Sequence, residues 1–341
     1  MPEKRIRPSP FAIFPKETAT SEIRKLREKG NFDSSLKTRS EGDSVIVPLI
    51  RHMPGSSGLI DFEEKGIPDP PYKVIQDRCR GNGINAWIPK KWILVGNAVI
   101  VKVPSFGTLD TGVAEVIAQV LNASAVYEDS AFILNEERRP KLNLVWGKRE
   151  RVLHKEGGVL FSLVPEESMF SPGNVNVRYS LQNDEKVRGT AMDLFSGIGY
   201  FTLHIARNPR VEKVYASEIN PDSYKSLLIN IKRNHLIGKV EPFLGDCRTA
   251  FYRIRADYIC MGHFDCVNFL PTALNHCRTG TFIDMHVLSF QKDANEECIE
   301  ILRMGRELGW LLSIVSARKV KSYGPKQWHV VVRIQCSQRF S

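Results

Sequence analysis

The chain predicts an α/β fold, an open and mainly parallel sheet in the C-terminal half preceded by a smaller α+β unit. Three observations carry this expectation. Apolar, strand-like runs recur at Ala191–Asp193, Val214–Glu218, Val240–Leu244 and Phe264–Pro271, and the first two are each followed by a stretch of helical periodicity. The first run passes directly into a loop with Gly197 and Gly199 and then into the amphipathic stretch Phe201–Ala206. The ends of the four runs carry Asp193, Glu218, Asp246 and Asn268, and open sheets of this class bind ligands outside the carboxyl ends of their strands.

Each element has its own justification. Glycine carries no Cβ and tolerates positive φ, so Gly197 and Gly199 allow a ligand to approach the backbone closely. The helix that follows aims its first amides at the same place. A bare Gly-x-Gly is weak by itself; the acid Glu218, 25 residues after Asp193, is the position at which such folds hold a ribose diol. Asn220-Pro221 then starts a helix expected over 222–234, with Tyr224, Leu227, Leu228 and Ile231 on one face. The third run ends in Gly245-Asp246, which presents a carboxylate to an adenine amino group. Phe264-Asp-Cys-Val-Asn-Phe-Leu-Pro271 is expected as the fourth strand. This order defines a Rossmann-like sheet of the class I S-adenosylmethionine-dependent methyltransferase type, with S-adenosyl-L-methionine as the bound donor. A nicotinamide enzyme is disfavoured because the three-glycine fingerprint is incomplete.

The rest of the chain divides by composition. Residues 1–70 are expected to be partly irregular, with a helix over 18–30 and a loop over 51–72, rich in Pro, Gly and Asp. Residues 71–175 form the α+β unit, with a helix at Thr111–Leu121 and strands near 131–134, 142–146 and 159–163. Residues 176–341 form the catalytic sheet. The linking segment contains Ser171 and Arg178; an arginine there either grips the donor's methionine carboxylate bidentately or is a solvated linker residue. Near the C-terminus, a basic loop with Tyr323 and Trp328, flanked by apolar strands at 310–315 and 330–334, suits phosphate attraction and base stacking, or is an ordinary charged loop.

Bulk properties bound the partners. The 341 residues suit two or three domains, and 48 basic against 38 acidic residues leave a net charge of +10. That excess fits a polyanion such as a nucleic acid, or a generic basic protein. No stretch of ~18 apolar residues suggests a membrane span. Seven scattered cysteines suggest reduced thiols and a cytoplasmic setting. Cys260, His263, Cys266, His276 and Cys277 could be read as a zinc site, but Cys266 falls in an expected buried strand and the spacing lacks Cys-x2-Cys, so no metal is expected.

Asp193-Leu-Phe-Ser-Gly-Ile-Gly-Tyr-Phe, Glu218-Ile-Asn-Pro, Gly245-Asp-Cys-Arg and Ser322-Tyr-Gly-Pro…His329-Val-Val together resemble the tRNA position-37 transferase family over roughly residues 84–336. Tyr200 after the second glycine, Met169-Phe-Ser-Pro-Gly-Asn174, Ala216-Ser-Glu-Ile-Asn-Pro and Trp87-Ile-Pro-Lys-Lys-Trp92 are closer to its wybutosine-synthesis branch than to its guanine-37 N1-methyltransferase branch. Asn268-Phe-Leu-Pro271-Thr-Ala matches neither branch cleanly. The resemblance implies donor contacts at Ser171, Arg178, Glu218, Asp246 and Cys247, beside Asp193 and the two glycines. It implies transfer of the 3-amino-3-carboxypropyl group of S-adenosylmethionine to C7 of 4-demethylwyosine at position 37 of tRNA-Phe, with the anticodon-loop base splayed from its stack. Asn268 is the one candidate for orienting that base. The alternatives are guanine-37 N1-methylation and a tRNA-binding scaffold without catalysis. A monomer is expected.

Overall fold

The computed structural model describes residues 6–64, 69–104, 107–134, 139–168, 172–251 and 253–340. Two compact units emerge, Met1–Pro70 and Pro71–Ser341.

In the first unit, β1 (Ile6–Pro15), α1 (Lys16–Glu28), β2 (Arg39–Glu41), β3 (Ser44–Pro48) and β4 (Ser57–Glu63) form an antiparallel sheet in the order β2-β3-β1-β4 with one helix. Ala12, Leu26, Phe32, Val47 and Leu49 make its core. The helix starts two residues before the expected position. Strand β4 corrects the expectation of a loop: Phe62 turns inward while Leu59 and Asp61 face solvent, an alternation hidden between Gly- and Pro-rich flanks.

The second unit begins with α2 (Pro71–Gly81), β5 (Ile93–Val95), β6 (Ala98–Lys102), α3 (Thr111–Leu121), β7 (Ala125–Leu134) and β8 (Arg139–Gly147). Its sheet runs β5-β6-β7-β8, with β6 and β7 parallel. Asp110 caps α3 by accepting from the Val113 amide at 3.0 Å, and Val113, Val116 and Ile117 lie on the buried face. A hairpin, β9 (Val152–Glu156) and β10 (Val159–Leu163), turns on Gly157 and Gly158, and a short α4 (Val175–Ser180) follows.

The main sheet comprises β11 (Gly189–Asp193), β12 (Val211–Glu218), β13 (Val240–Leu244), β14 (Ala256–Met261), β15 (Cys277–Ser289), β16 (Trp310–Gly324) and β17 (Gln327–Arg339). Helices α5 (Thr202–Arg207), α6 (Pro221–Arg233), α7 (Leu270–Asn275) and α8 (Asn295–Glu307) connect them. The order is β13-β12-β11-β14-β15-β17-β16; the first five are parallel and β17 runs antiparallel between its neighbours. The chain direction across the sheet reverses between β11 and β14, which makes their carboxyl ends the switch point at which such sheets bind ligands. This is the expected α/β architecture. The boundary expected near residue 175 is no break in packing, because one apolar core joins Val95, Ala98 and Tyr127 to Phe161, Ala191 and Leu203.

Two strands differ from expectation. The fourth strand is Ala256–Met261, not 264–271; the latter forms a 3-10 turn over Cys266–Phe269 and then α7. The expected basic loop near the C-terminus is instead the distal half of a long hairpin, β16 paired with β17. That hairpin is fastened by a buried network. Arg333 on β17 donates through Nε and Nη2 to Asp284 Oδ1 and Oδ2 at 2.6 and 2.7 Å and through Nη1 to Asp184 at 2.6 Å. The Tyr258 hydroxyl donates to Asp284 Oδ2 at 2.8 Å. Removing one member strands a buried charge. Asp284→Ala should therefore lower the unfolding free energy by about 3–5 kcal/mol in urea denaturation.

Candidate active site

The glycine loop is built by two carboxylates from adjacent strands. Asp193 ends β11 beneath the loop, wholly buried; its Oδ2 accepts from the Thr202 hydroxyl at 2.7 Å and its Oδ1 from the Phe195 amide at 3.3 Å. Burial raises its carboxyl to about 6 despite those bonds. Asp193 is thus a foundation of the loop, wholly buried, with both carboxylate oxygens engaged by the loop's own groups. Glu218 ends β12 and crosses to the loop: Oε2 accepts from the Gly197 amide at 2.6 Å and Oε1 from the Asn220 amide at 2.8 Å. Burial raises its carboxyl too, opposed by these amides and reinforced by the nearby Asp193 charge. Gly197 and Gly199 have φ of 56° and 103°. At Gly199 an added Cβ would come within 2.9 Å of Leu203 Cγ, so the position needs glycine for both backbone and space.

Around this loop the rim is completed by aromatic and charged groups. Phe195 packs edge-on against Phe269 at 5.0 Å between ring centroids and tilts over His263 at 5.3 Å. Arg248 lies 5.5 Å from the Phe269 ring, and its Nε donates to both oxygens of Asp246 at 3.0 and 2.9 Å. The hydrogen bonds from Arg248 hold the Asp246 carboxyl below its usual range. Cys247 is buried, and burial pushes its thiol up to about 12, so it is a neutral thiol. Asn268 is exposed on the 3-10 turn beside Phe269.

The linking segment is only partly described. Ser171, with Met169 and Phe170, lies outside the described residues. Arg178 lies on α4 and is buried; its Nε and Nη2 donate to Glu156 at 2.8 and 2.6 Å, and its guanidinium stands 5.3 Å from the Tyr200 ring centroid. Burial raises the Glu156 carboxyl, but hydrogen bonds from His204 and Arg178 outweigh it and bring it to about 2. This arginine is no solvated linker residue. A buried cation requires a paired anion, and Glu156, 22 residues away, has no local signal that would have flagged it. Of the residues weighed and rejected above as zinc ligands, Cys266 Sγ and Cys277 Sγ donate to the carbonyls of His286 and Ala273, both at 3.3 Å. No described helix is long and apolar enough to cross a membrane.

The fold and rim define an S-adenosylmethionine-type Rossmann transferase. Residues 152–309 match the TRM5/TYW2 methyltransferase domain and residues 82–150 the TYW2 N-terminal domain. Over 244 residues the chain is 33% identical to the tRNA(Phe) (4-demethylwyosine(37)-C(7)) aminocarboxypropyltransferase of Methanocaldococcus jannaschii, spanning 71% of this chain and 96% of that protein. The crystal structure of P. horikoshii TYW2 in complex with MeSAdo superposes with a TM-score of 0.67 at 26% identity, over 76% of this chain and 97% of that one. Wild-type Trm5b from Pyrococcus abyssi shares the fold with a TM-score of 0.66 at 24% identity, over 97% of this chain and all of that one. The chain belongs to the TRM5/TYW2 family.

Asp193 offers a test with a definite sign. With its carboxyl raised from 3.8 to about 6, the neutral acid favours folding fully below pH 3.8, and that benefit is lost as pH rises through about 6. The stability of Asp193→Asn relative to the parent should therefore increase between about pH 4 and pH 7, by up to about 3 kcal/mol, in urea melts run at each pH.

Proposed function

We propose that this protein transfers the 3-amino-3-carboxypropyl group of S-adenosyl-L-methionine to C7 of 4-demethylwyosine at position 37 of tRNA-Phe. The observation that carries the reading is the 33% identity across 96% of a relative bearing that activity in its name. The donor supplies an activated sulfonium whose three carbons are all electrophilic, so the protein's task is to orient the reacting one.

The residues of the rim fit such a donor. Glu218 keeps acceptor capacity beyond its two amide bonds, and takes the ribose hydroxyls. Gly197 and Gly199 let the donor lie against the backbone. Asp246 and Cys247, at the end of β13, flank the adenine, with Phe195 and Phe269 as apolar walls. Ser171 and Arg178 serve the amino-acid end, Arg178 from behind, through its pair with Glu156. Asn268, exposed beside Phe269, reads the edge of the flipped base.

The tRNA is met by the hairpin. Lys319 Nζ stands 3.4 Å and Lys292 Nζ 5.5 Å from the Trp328 ring centroid, with Arg318, Lys321 and the exposed Tyr323 alongside. This face combines phosphate attraction with rings for stacking, and the anticodon loop is its proposed target. The protein works as a monomer in the cytoplasm, in keeping with thiols that are free and largely buried.

A second reading, methyl transfer to N1 of guanine 37, is favoured by one observation: the likeness to Trm5b covers 97% of the chain. One experiment separates the two. Purified protein is incubated with tRNA-Phe carrying 4-demethylwyosine or guanine at position 37, and with donor labelled either in the methyl or in the carboxypropyl group. Mass spectrometry of the nucleosides should show carboxypropyl label on 4-demethylwyosine; methyl label in tRNA refutes the reading. Glu218→Ala should weaken donor binding by at least about tenfold, about 1.4 kcal/mol, in calorimetric titration.

A further inference from the structure

Bond formation at C7 leaves a hydrogen on that carbon that the product does not keep, so the proposed reaction needs a proton acceptor. The rim carboxylates are poorly placed for this. Asp193 is sealed under the loop, Glu218 is tied by two amides and Asp246 is held by Arg248.

A different pair stands behind the end of β14. His286 on β15 and His329 on β17 are both buried, and His286 Nδ1 lies 2.9 Å from His329 Nε2. His329 Nδ1 is buried without a hydrogen-bond partner, an arrangement that costs folding energy and calls for an explanation. The surroundings are those of the rim. Phe201, at the end of the glycine loop, meets His286 edge-on at 4.7 Å, and Phe264, just past β14, meets His329 at 5.1 Å. Tyr323 of the hairpin packs on Phe264 at 5.1 Å. The turn that bears Asn268 is fastened to the same place, through Cys266 Sγ on the His286 carbonyl and a bridge between Asp265 and Val287. Glycine loop, fourth-strand end and hairpin therefore converge on these two imidazoles.

Burial keeps both rings neutral. Arg178 and Arg318 add to this at His286, and His286 and Lys321 at His329, so that each falls to about 3. In a neutral hydrogen-bonded pair one N–H fills the bridge, one outer nitrogen holds a lone pair and the other an N–H. A proton taken up at the lone-pair end moves the bridging proton across and releases the N–H at the far end. Low basicity is no obstacle, because the alkylated ring is cationic and its C7–H is strongly acidic. A base that stays unprotonated throughout the neutral range is always ready.

We infer that the His286–His329 pair accepts the proton that C7 of the acceptor base gives up during aminocarboxypropyl transfer, an inference that rests on the reaction proposed above. The C–C bond forms as the C–S bond breaks, and sulfur leaves with that electron pair as methylthioadenosine. The C7–H electron pair returns to the ring, and the proton is taken up by the imidazole pair, which gives it up to water when the products leave.

The test uses full-length protein, single-turnover kinetics, and tRNA-Phe bearing 4-demethylwyosine with hydrogen or deuterium at C7. In His329→Gln and His286→Gln the rate should fall about 100-fold, the order expected for a lost proton acceptor. Donor affinity should stay within about twofold by calorimetry, and a primary deuterium effect absent from the parent should appear. Rates within about threefold of the parent, or a loss without the isotope effect, overturn the inference. Failure of the parent to transfer carboxypropyl overturns the functional reading instead. Should both variants unfold, histidine nitrogen spectra of the unaltered protein decide. The tRNA together with methylthioadenosine must shift a ring nitrogen of His286 or His329, and unshifted signals overturn the proposal.

Discussion

The site depends on carboxylates supplying hydrogen-bond acceptors to a loop that has no regular structure of its own. Backbone amides removed from water need acceptors. In the segment after β11 two of them, those of Phe195 and Gly197, find theirs on Asp193 and Glu218. A third, the Ser196 amide, bonds the Ser217 carbonyl at 2.9 Å. The loop is thus sewn to β12 at Ser217 and Glu218. Holding it costs the desolvation of two carboxylates, and the raised values of both groups record that cost. The residue that shapes the loop is also the one proposed to take the ribose, so loop geometry and donor binding share one carboxylate.

A second constraint acts on the other side of the switch point. β16 is the edge strand and carries much of the hairpin's charge, whereas β17 inside it is apolar at Val330, Val331, Val332 and Ile334. An edge strand tolerates the exposed Lys319 because its outer side faces water, and such charges also discourage pairing with other chains. The Arg333–Asp284–Tyr258 network locks β17 to β15 and β14, so the basic arm is carried by the same rigid body as the rim.

Much of this was legible in the sequence, for local reasons. Asn220 accepts from the Asp222 and Ser223 amides and Pro221 opens the helix, as their order implies. The glycine loop and the strand ends at Asp193 and Glu218 were equally readable. What escaped depends on distant partners. Phe264–Pro271 has strand-like composition, yet Ala256–Met261 holds the place because Ala191, Met192 and Asp193 pair with Tyr258, Ile259 and Cys260 on one side and β15 closes the other. The basic residues of 317–324 imitate a loop, but their register against Gln327–Arg333 makes them strand. Glu156 and the His286–His329 contact lie 22 and 43 residues from their partners, beyond any periodicity.

The distribution of charge around the switch point gives the arrangement a direction. Asp193, Glu218 and Asp246 lie at the ends of β11, β12 and β13, while Arg178, Arg318 and Lys321 bear on the two imidazoles across the sheet. In the proposed reaction a sulfonium donor brings positive charge to the acidic side, and that charge leaves as a proton through the basic side once the neutral thioether forms. Cations beside a proton-accepting pair keep it empty beforehand and weaken its hold afterwards, since like charge disfavours the imidazolium. The same cations prevent the pair from storing the proton, so a relay that passes it on suits this environment better than a single strong base.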